Sequence, residues 1–253
     1  MVMATIMAAA QPLGIKNDVN VIELNGDDWS ELMECFKASE QGCDKLTVLH
    51  IGDSHIKPGI VTAEVRQALR HGCVNDSDSL AAVSRNVEVE CIGINGATYA
   101  TYLNRSDLTR RLQQLKPQLT IISLGTNEAY GNYGSIQGNI ESLLYVIRRA
   151  CPDVKILLTT PLETQKHRSR GHVIQSGIAE VRDLILRYGK AHHVAVWDFY
   201  SVGGGAGASG RWLAAGHMSG DRIHLTSDGY HLQGKLLGKA LLRLFLTHQT
   251  LQQ

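Results

Sequence analysis

The sequence predicts a single α/β domain in which a parallel sheet carries helices on both faces. Three observations lead there. Short apolar runs alternate five times with amphipathic stretches of helical period. Strands and helices alternate rather than segregate, as parallel βαβ units require. No Pro-rich or Ser-rich linker divides the chain.

The elements follow in order. Leu46–Ile51 (LTVLHI) reads as the first strand, with a helix over about Gly59–Arg70 behind it. Val87–Ile92 is the second strand, and Leu108, Leu112 and Leu115 then mark one helical face. Leu119–Leu124 is the third strand. Ile136, Ile140, Leu143, Leu144 and Ile147 recur at helical spacing after it. Val154–Leu158 is the fourth strand; Val173, Ile174, Ile178, Val181, Ile185 and Tyr188 predict the next helix. His193–Trp197 is the fifth strand. A closing helix buries Leu232, Leu236, Leu237, Ala240, Leu241 and Leu244 and turns Lys235, Lys239 and Arg243 outward. Residues 1–45 read as an N-terminal extension, and residues 46–253 as the main domain. In the extension, Trp29, Leu32, Met33 and Phe36 predict a short amphipathic helix packed on the core.

Composition narrows the function. The chain has 253 residues, long enough for a core without staples, and 43% of them are hydrophobic, too many for a disordered chain. Lys plus Arg is 25 against 24 Asp plus Glu, so the net charge of +1 argues against a nucleic-acid tail or a polybasic membrane anchor. No apolar run is long enough for a transmembrane helix. The five cysteines, Cys35, Cys43, Cys73, Cys91 and Cys151, have no zinc-ligand spacing. Cys35–Cys43 or Cys73–Cys91 pairing would require export. Met1–Ala10 is apolar but lacks a positive leading segment. An export role for it would make the protein periplasmic or extracellular; otherwise it is cytoplasmic.

In such a sheet a ligand sits at the carboxyl ends of the strands, so chemistry should follow each strand. Gly52-Asp53-Ser54-His55 follows the first, a tight junction that can expose the Ser54 hydroxyl or simply cap the next helix. Gly93-Ile94-Asn95-Gly96 follows the second, where glycine lets backbone approach a ligand. Gly125-Thr126-Asn127-Glu128 follows the third, with an amide able to donate to a developing oxyanion. After the fifth comes a segment with five glycines between Gly203 and Gly210, then Arg211-Trp212, then Asp221 and His224 three residues apart. That spacing lets an aspartate orient an imidazole toward a nucleophile. His217, Asp221 and His224 also make a metal reading, which lacks a second ligand cluster. A nucleophile, a base, an orienting acid and oxyanion donors together are what acyl-bond hydrolysis needs, with no cofactor.

These blocks resemble the SGNH hydrolase superfamily, also called the GDSL esterases and lipases, over about Leu46–Leu244. The match lies in Gly52-Asp53-Ser54-His55, Gly96, Gly125-Thr126-Asn127-Glu128 and Asp221/His224, in that order. The resemblance implies a three-layer α/β/α flavodoxin-like sandwich with a five-stranded parallel sheet. It implies Ser54 as nucleophile, His224 as base and Asp221 as its orienting acid. The oxyanion hole would come from the Ser54 and Gly96 backbone N–H groups and the Asn127 amide. The sequence around Ser54 and Asn127 is most similar to bacterial carbohydrate and peptidoglycan O-acetylesterases. The expected substrate is therefore an acetylated carbohydrate or another small ester. A short-chain lipase, a thioesterase or an O-acetyltransferase would use the same machinery; a non-catalytic carbohydrate-binding domain is the reading from a different class. Asp53, His55, Tyr99, Tyr130, Arg211 and Trp212 are candidate substrate contacts, with Tyr102 and Tyr133 in nearby segments. Trp212 is placed to stack on a sugar and Arg211 to hold a polar or acidic part of it.

Overall fold

The computed structural model describes residues 13–40, 42, 44–72, 84–103, 105–131 and 135–247. The Met1–Ala10 stretch, Cys43, Cys73 and Tyr133 lie outside the described residues; Cys35, Cys91 and Cys151 carry free thiols. Among the described residues no helix is long and apolar enough to cross a membrane.

The strands are β1 (Ile22–Glu23), β2 (Leu46–Gly52), β3 (Val87–Gly93), β4 (Leu119–Ser123), β5 (Lys155–Thr159), β6 (Gln165–Arg168), β7 (Gly171–Ile174) and β8 (Ala195–Trp197). The helices are α1 (Ser30–Glu40), α2 (Ile60–His71), α3 (Tyr99–Leu103), α4 (Ser106–Leu115), α5 (Ile136–Ala150), α6 (Gly177–His192), α7 (Phe199–Val202), α8 (Ala208–Ala214) and α9 (Ser227–Thr247). The main sheet runs β1-β8-β5-β4-β2-β3. Its five parallel strands are those expected. The two-residue β1 adds an antiparallel edge opposite Trp197 and Val196, so the sheet is mixed rather than wholly parallel.

Alternation along the strands sorts the core into two layers. Leu46, Val48, Leu119, Ile121 and Leu157 face a layer built by α1, α2 and α9. Leu49, Ile51, Ile122, Ile156 and Leu158 face a layer built by α4, α5 and α6. The result is a three-layer α/β/α sandwich. Every residue of β2 is buried, as a central strand covered on both faces must be. In α1, Leu32, Met33 and Phe36 are buried, and Phe36 lies 4.7 Å from Phe245 of α9 between ring centroids. The α2 and α9 helices approach closely because Gly234 has no side chain there: a Cβ would sit 2.6 Å from that of Glu64.

One element departs from expectation. Val173 and Ile174 are not the first turn of a helix. They end β7, which pairs with β6 in a separate antiparallel hairpin, and α6 starts at Gly177. The periodicity misleads because both side chains are exposed and bury nothing against the sheet.

Candidate active site

The chain reverses its direction of travel across the sheet between β2 and β4, leaving a crevice at their carboxyl ends. Ser54 follows β2, and Asn127 follows β4. The turn carrying Ser54 packs on the end of β3 because residue 93 is glycine; a Cβ there would run into the Lys57 backbone. The segment after α8 returns to the same crevice before α9 begins and brings Asp221 and His224.

The side chains meet there. Ser54 Oγ lies 2.9 Å from His224 Nε2, and His224 Nδ1 lies 2.7 Å from Asp221 Oδ2. Asp221 Oδ1 accepts the backbone N–H groups of Ile223 and His224, each at 2.9 Å, so the carboxylate fixes the loop and the ring together. Partial burial pushes the Asp221 carboxyl up. Hydrogen bonds from His224 and from those two N–H groups outweigh it and hold the carboxyl below the usual range. An open cleft of about 690 Å³ exposes Ser54 and His224 beside Gly96, Asn127, Tyr130 and Tyr230. Asn127 Nδ2 donates to Ala97 O at 2.9 Å and to Asp53 Oδ2 at 3.2 Å.

Other candidate residues lie elsewhere. Asp53 and His55 line a small inner pocket of about 30 Å³, not the cleft. Asp53 is buried and accepts the His55 N–H at 2.9 Å; burial pushes its carboxyl up. The His55 ring stands behind His224, 5.2 Å between centroids. Its Nδ1 is 3.3 Å from the Tyr230 hydroxyl and its Nε2 is buried without a partner, and the ring is not among the groups lining the cleft. Tyr99 and Tyr102 are wholly buried; the Tyr102 hydroxyl lies 2.6 Å from Gly52 O and 2.8 Å from Ile92 O, between the ends of β2 and β3. Tyr130 alone among these tyrosines is exposed on the cleft.

Arg211 and Trp212 are corrections. Trp212 is fully buried, donates its indole N–H to Gly203 O at 2.8 Å and meets Phe199 edge-on. It supports the fold and cannot stack on a sugar. Arg211 donates to the carbonyls of Leu13, Gly204 and Ala206, so its guanidinium clamps the glycine-rich turn instead of reaching the cleft. Glu163 holds the other side of that turn through the N–H groups of Gly207 and Ser209. The sequence contains no signal for this burial, because α8 is short and its inward face is set by Phe199, far away in the pattern. Tyr230, Ile223 and Leu225 also line the cleft; an ordinary helix start and an ordinary apolar alternation conceal them in the sequence.

Two buried groups beneath the site titrate in opposite senses. His50 is fully buried in β2, 2.8 Å from Ser123 Oγ and 3.1 Å from Thr62 Oγ1, and burial pushes its imidazole down to about 3 from 6.5. Glu128, which accepts the Tyr99 N–H at 2.6 Å, is pushed up to about 7 from 4.5 by burial. Below pH 6.5 the unfolded chain protonates His50 while the folded chain does not, so the stability that neutral His50 permits is present above 6.5 and lost as pH falls toward 3. Glu128 does the reverse: the folded chain holds its proton up to about 7, so its contribution is full below 4.5 and lost as pH rises through 7. Between pH 7 and 5 each amounts to about 2 kcal/mol, and they offset. A His50→Gln variant removes one side of the balance. It should gain about 2 kcal/mol relative to wild type between pH 7 and pH 5 in urea unfolding. A constant difference between the two proteins at both pH values would refute it.

The sequence matches the model of the GDSL-like lipase/acylhydrolase family over residues 51–232. A search of curated protein sequences gives no match. Among solved structures, the chain is similar to a peptidoglycan O-acetylesterase, with 16% identity, a TM-score of 0.77 and coverage of 89% of this chain and 99% of that one. It is similar to a two-domain esterase active on acetylated mannans, with 15% identity, a TM-score of 0.63 and coverage of 91% of this chain but 57% of that one. It is also similar to a lipase/acylhydrolase from Enterococcus faecalis, with 21% identity, a TM-score of 0.52 and coverage of 78% and 95%. At these identities the likeness concerns the fold. The family match spans most of the chain and takes in the serine turn, the asparagine block and the aspartate–histidine loop, and on that ground this chain belongs to the GDSL-like lipase/acylhydrolase family and is a carboxylic ester hydrolase.

Proposed function

We propose that the protein is a serine esterase that removes O-acetyl groups from a carbohydrate, with Ser54, His224 and Asp221 as its catalytic residues. The observation that carries this reading is the unbroken run from Ser54 Oγ through His224 to Asp221, opening on the cleft. His224 Nε2 takes the Ser54 proton as the oxygen attacks the ester carbonyl. Asp221 keeps the Nδ1–H tautomer and stabilises the imidazolium that forms. Charge on the carbonyl oxygen meets the Ser54 and Gly96 backbone N–H groups and the Asn127 amide. Asn127 gives up its longer bond, the 3.2 Å one to Asp53, as that charge grows. The tetrahedral intermediate collapses, the bond from the carbonyl carbon to the sugar oxygen breaks, and His224 gives its proton to that departing oxygen. Water deprotonated by His224 attacks the acetyl-enzyme and releases acetate and free Ser54.

A short acyl group fits the space. Thr126, Ile223 and Leu225 line both the cleft and the inner pocket of about 30 Å³ behind it. That volume suits a methyl group or a single water, so a long acyl chain would have to lie in the open cleft instead. The peptidoglycan and mannan esterases of similar fold agree with an acetylated sugar as the alcohol side. The test is a panel of p-nitrophenyl acetate, butyrate and octanoate, then acetylated xylan, mannan and peptidoglycan. Acetate should exceed octanoate by more than tenfold in kcat/KM, a difference of only about 1.4 kcal/mol in the transition state. Equal or better turnover of octanoate in a detergent-controlled assay would move the reading to a lipase or thioesterase.

A further inference from the structure

The β6–β7 hairpin takes no part in the chemistry above, yet it is fastened to the catalytic loop. Gln165 donates its backbone N–H to Arg222 O at 2.9 Å and receives Arg222 Nη1 on its side chain at 2.7 Å. Arg222 sits between Asp221 and Ile223. The Tyr130 hydroxyl, on the cleft, reaches Gln165 O at 3.5 Å. From that clamp the hairpin projects four residues per strand, about 13 Å at roughly 3.3 Å per residue. His167 and His172 pair across it edge to face, 5.2 Å between centroids.

Its charge is one-sided. Residues 164–176 contain Lys166, Arg168 and Arg170 and no acid, and Arg222 adds a fourth cation at the base. Arg168 and Arg170 are exposed. None of the four makes an ion pair among the described residues; Lys166 and Arg222 bind only the neutral amides of Gln175 and Gln165. At the base of the hairpin Glu163 is buried and hydrogen-bonded to Ser209, and Asp221 is hydrogen-bonded to His224, so neither carboxylate forms an ion pair with the four cations. His172 is held below its ordinary value, by desolvation first and then by Arg222 and His167. A chain whose net charge is only +1 thus gathers unpaired cations on one projection beside its cleft.

We propose that this hairpin is a subsite for a carboxylate-bearing glycan, holding acidic groups of the polymer while an ester on the same strand lies at Ser54. The proposal rests on the esterase reading for its purpose but not for its test. The carboxylate can belong to a uronate ring or to a peptide attached to the glycan, and the probes separate these. Binding is measured with the Ser54→Ala protein, which needs no hydrolysis. The probes are polygalacturonate, soluble peptidoglycan fragments and neutral mannan, at low ionic strength and again near 0.15 M, where a Debye length of about 8 Å weakens exposed contacts.

Replacing both Arg168 and Arg170 by Ser should weaken binding of at least one acidic probe about tenfold, the size expected of two exposed charge contacts, and leave mannan unchanged. Replacing both by Lys should keep the binding, which separates charge from any disturbance of the hairpin. Acidic probes that bind equally with Arg or Ser overturn the proposal, as does a matching loss on mannan. Equal arginine-dependent binding of duplex DNA would mean an unspecific polyanion patch and overturns it too. Arginine-dependent glycan binding in a protein that cleaves no acetyl ester would sink the esterase reading and leave the subsite standing.

Discussion

Ser54→Ala is expected to lower kcat on p-nitrophenyl acetate roughly a thousand- to a million-fold while the protein stays folded. The hydroxyl's hydrogen-bonding partner is His224 Nε2, at 2.9 Å, and the serine is only partly buried. Its loss removes the nucleophile and leaves no buried group without a partner. The stability change should therefore stay within about 0.5 kcal/mol. The residual rate reports what the oxyanion donors and the bound imidazole do for attack by water alone. Measuring kcat beside the urea midpoint separates the two effects. A purified variant that hydrolyses the ester near the wild-type rate would remove Ser54 from the mechanism.

How much of this could be read before folding depends on where the information resides. The strands at 46–52, 119–123 and 155–159 announce themselves because both faces are covered, so their apolar runs are nearly continuous. The short helix at 30–40 is legible for a different reason: Leu32, Met33 and Phe36 share one face at helical spacing and bury it. The two-residue β1 has no period to read; only its partners Trp197 and Val196 make it a strand. The β6–β7 hairpin is polar and solvent-facing, and its one apolar pair, Val173 and Ile174, falls in helical register with the apolar face of α6. At the site, Ser54, Asn127, Asp221 and His224 stand at strand ends or in the loop before the last helix, where parallel topology brings residues to one rim regardless of separation. Which neighbours face the cleft is a matter of side-chain direction. Trp212 and Tyr99 point into the core and Tyr130 points out, though all three are aromatics in loops or short helices next to the same rim. Composition makes them alike, and only tertiary packing, such as Phe199 edge-on to Trp212, tells them apart.

His224→Ala should cost roughly a million-fold in kcat, and Asp221→Asn roughly ten-thousand-fold. The difference has a structural cause. An asparagine at 221 keeps an oxygen where Oδ1 now accepts the Ile223 and His224 N–H groups, so the loop holds its shape. Its amide nitrogen then faces His224 Nδ1 in place of Oδ2, at a site 2.7 Å from the ring. Two donors cannot share that contact, so the ring moves its proton to Nε2 and presents N–H to Ser54 where a lone pair is needed. The base is still present, but in the wrong tautomer. Removing the ring altogether leaves no substitute, since His55, the only other imidazole beside Ser54 in sequence, has one nitrogen at Tyr230 and the other buried. Because the two residues act as one unit, the Ser54→Ala/His224→Ala double variant should lose little more than either single variant. Multiplying losses would mean that they work independently, and an Asp221→Asn enzyme close to wild type would show that His224 keeps its tautomer without the carboxylate.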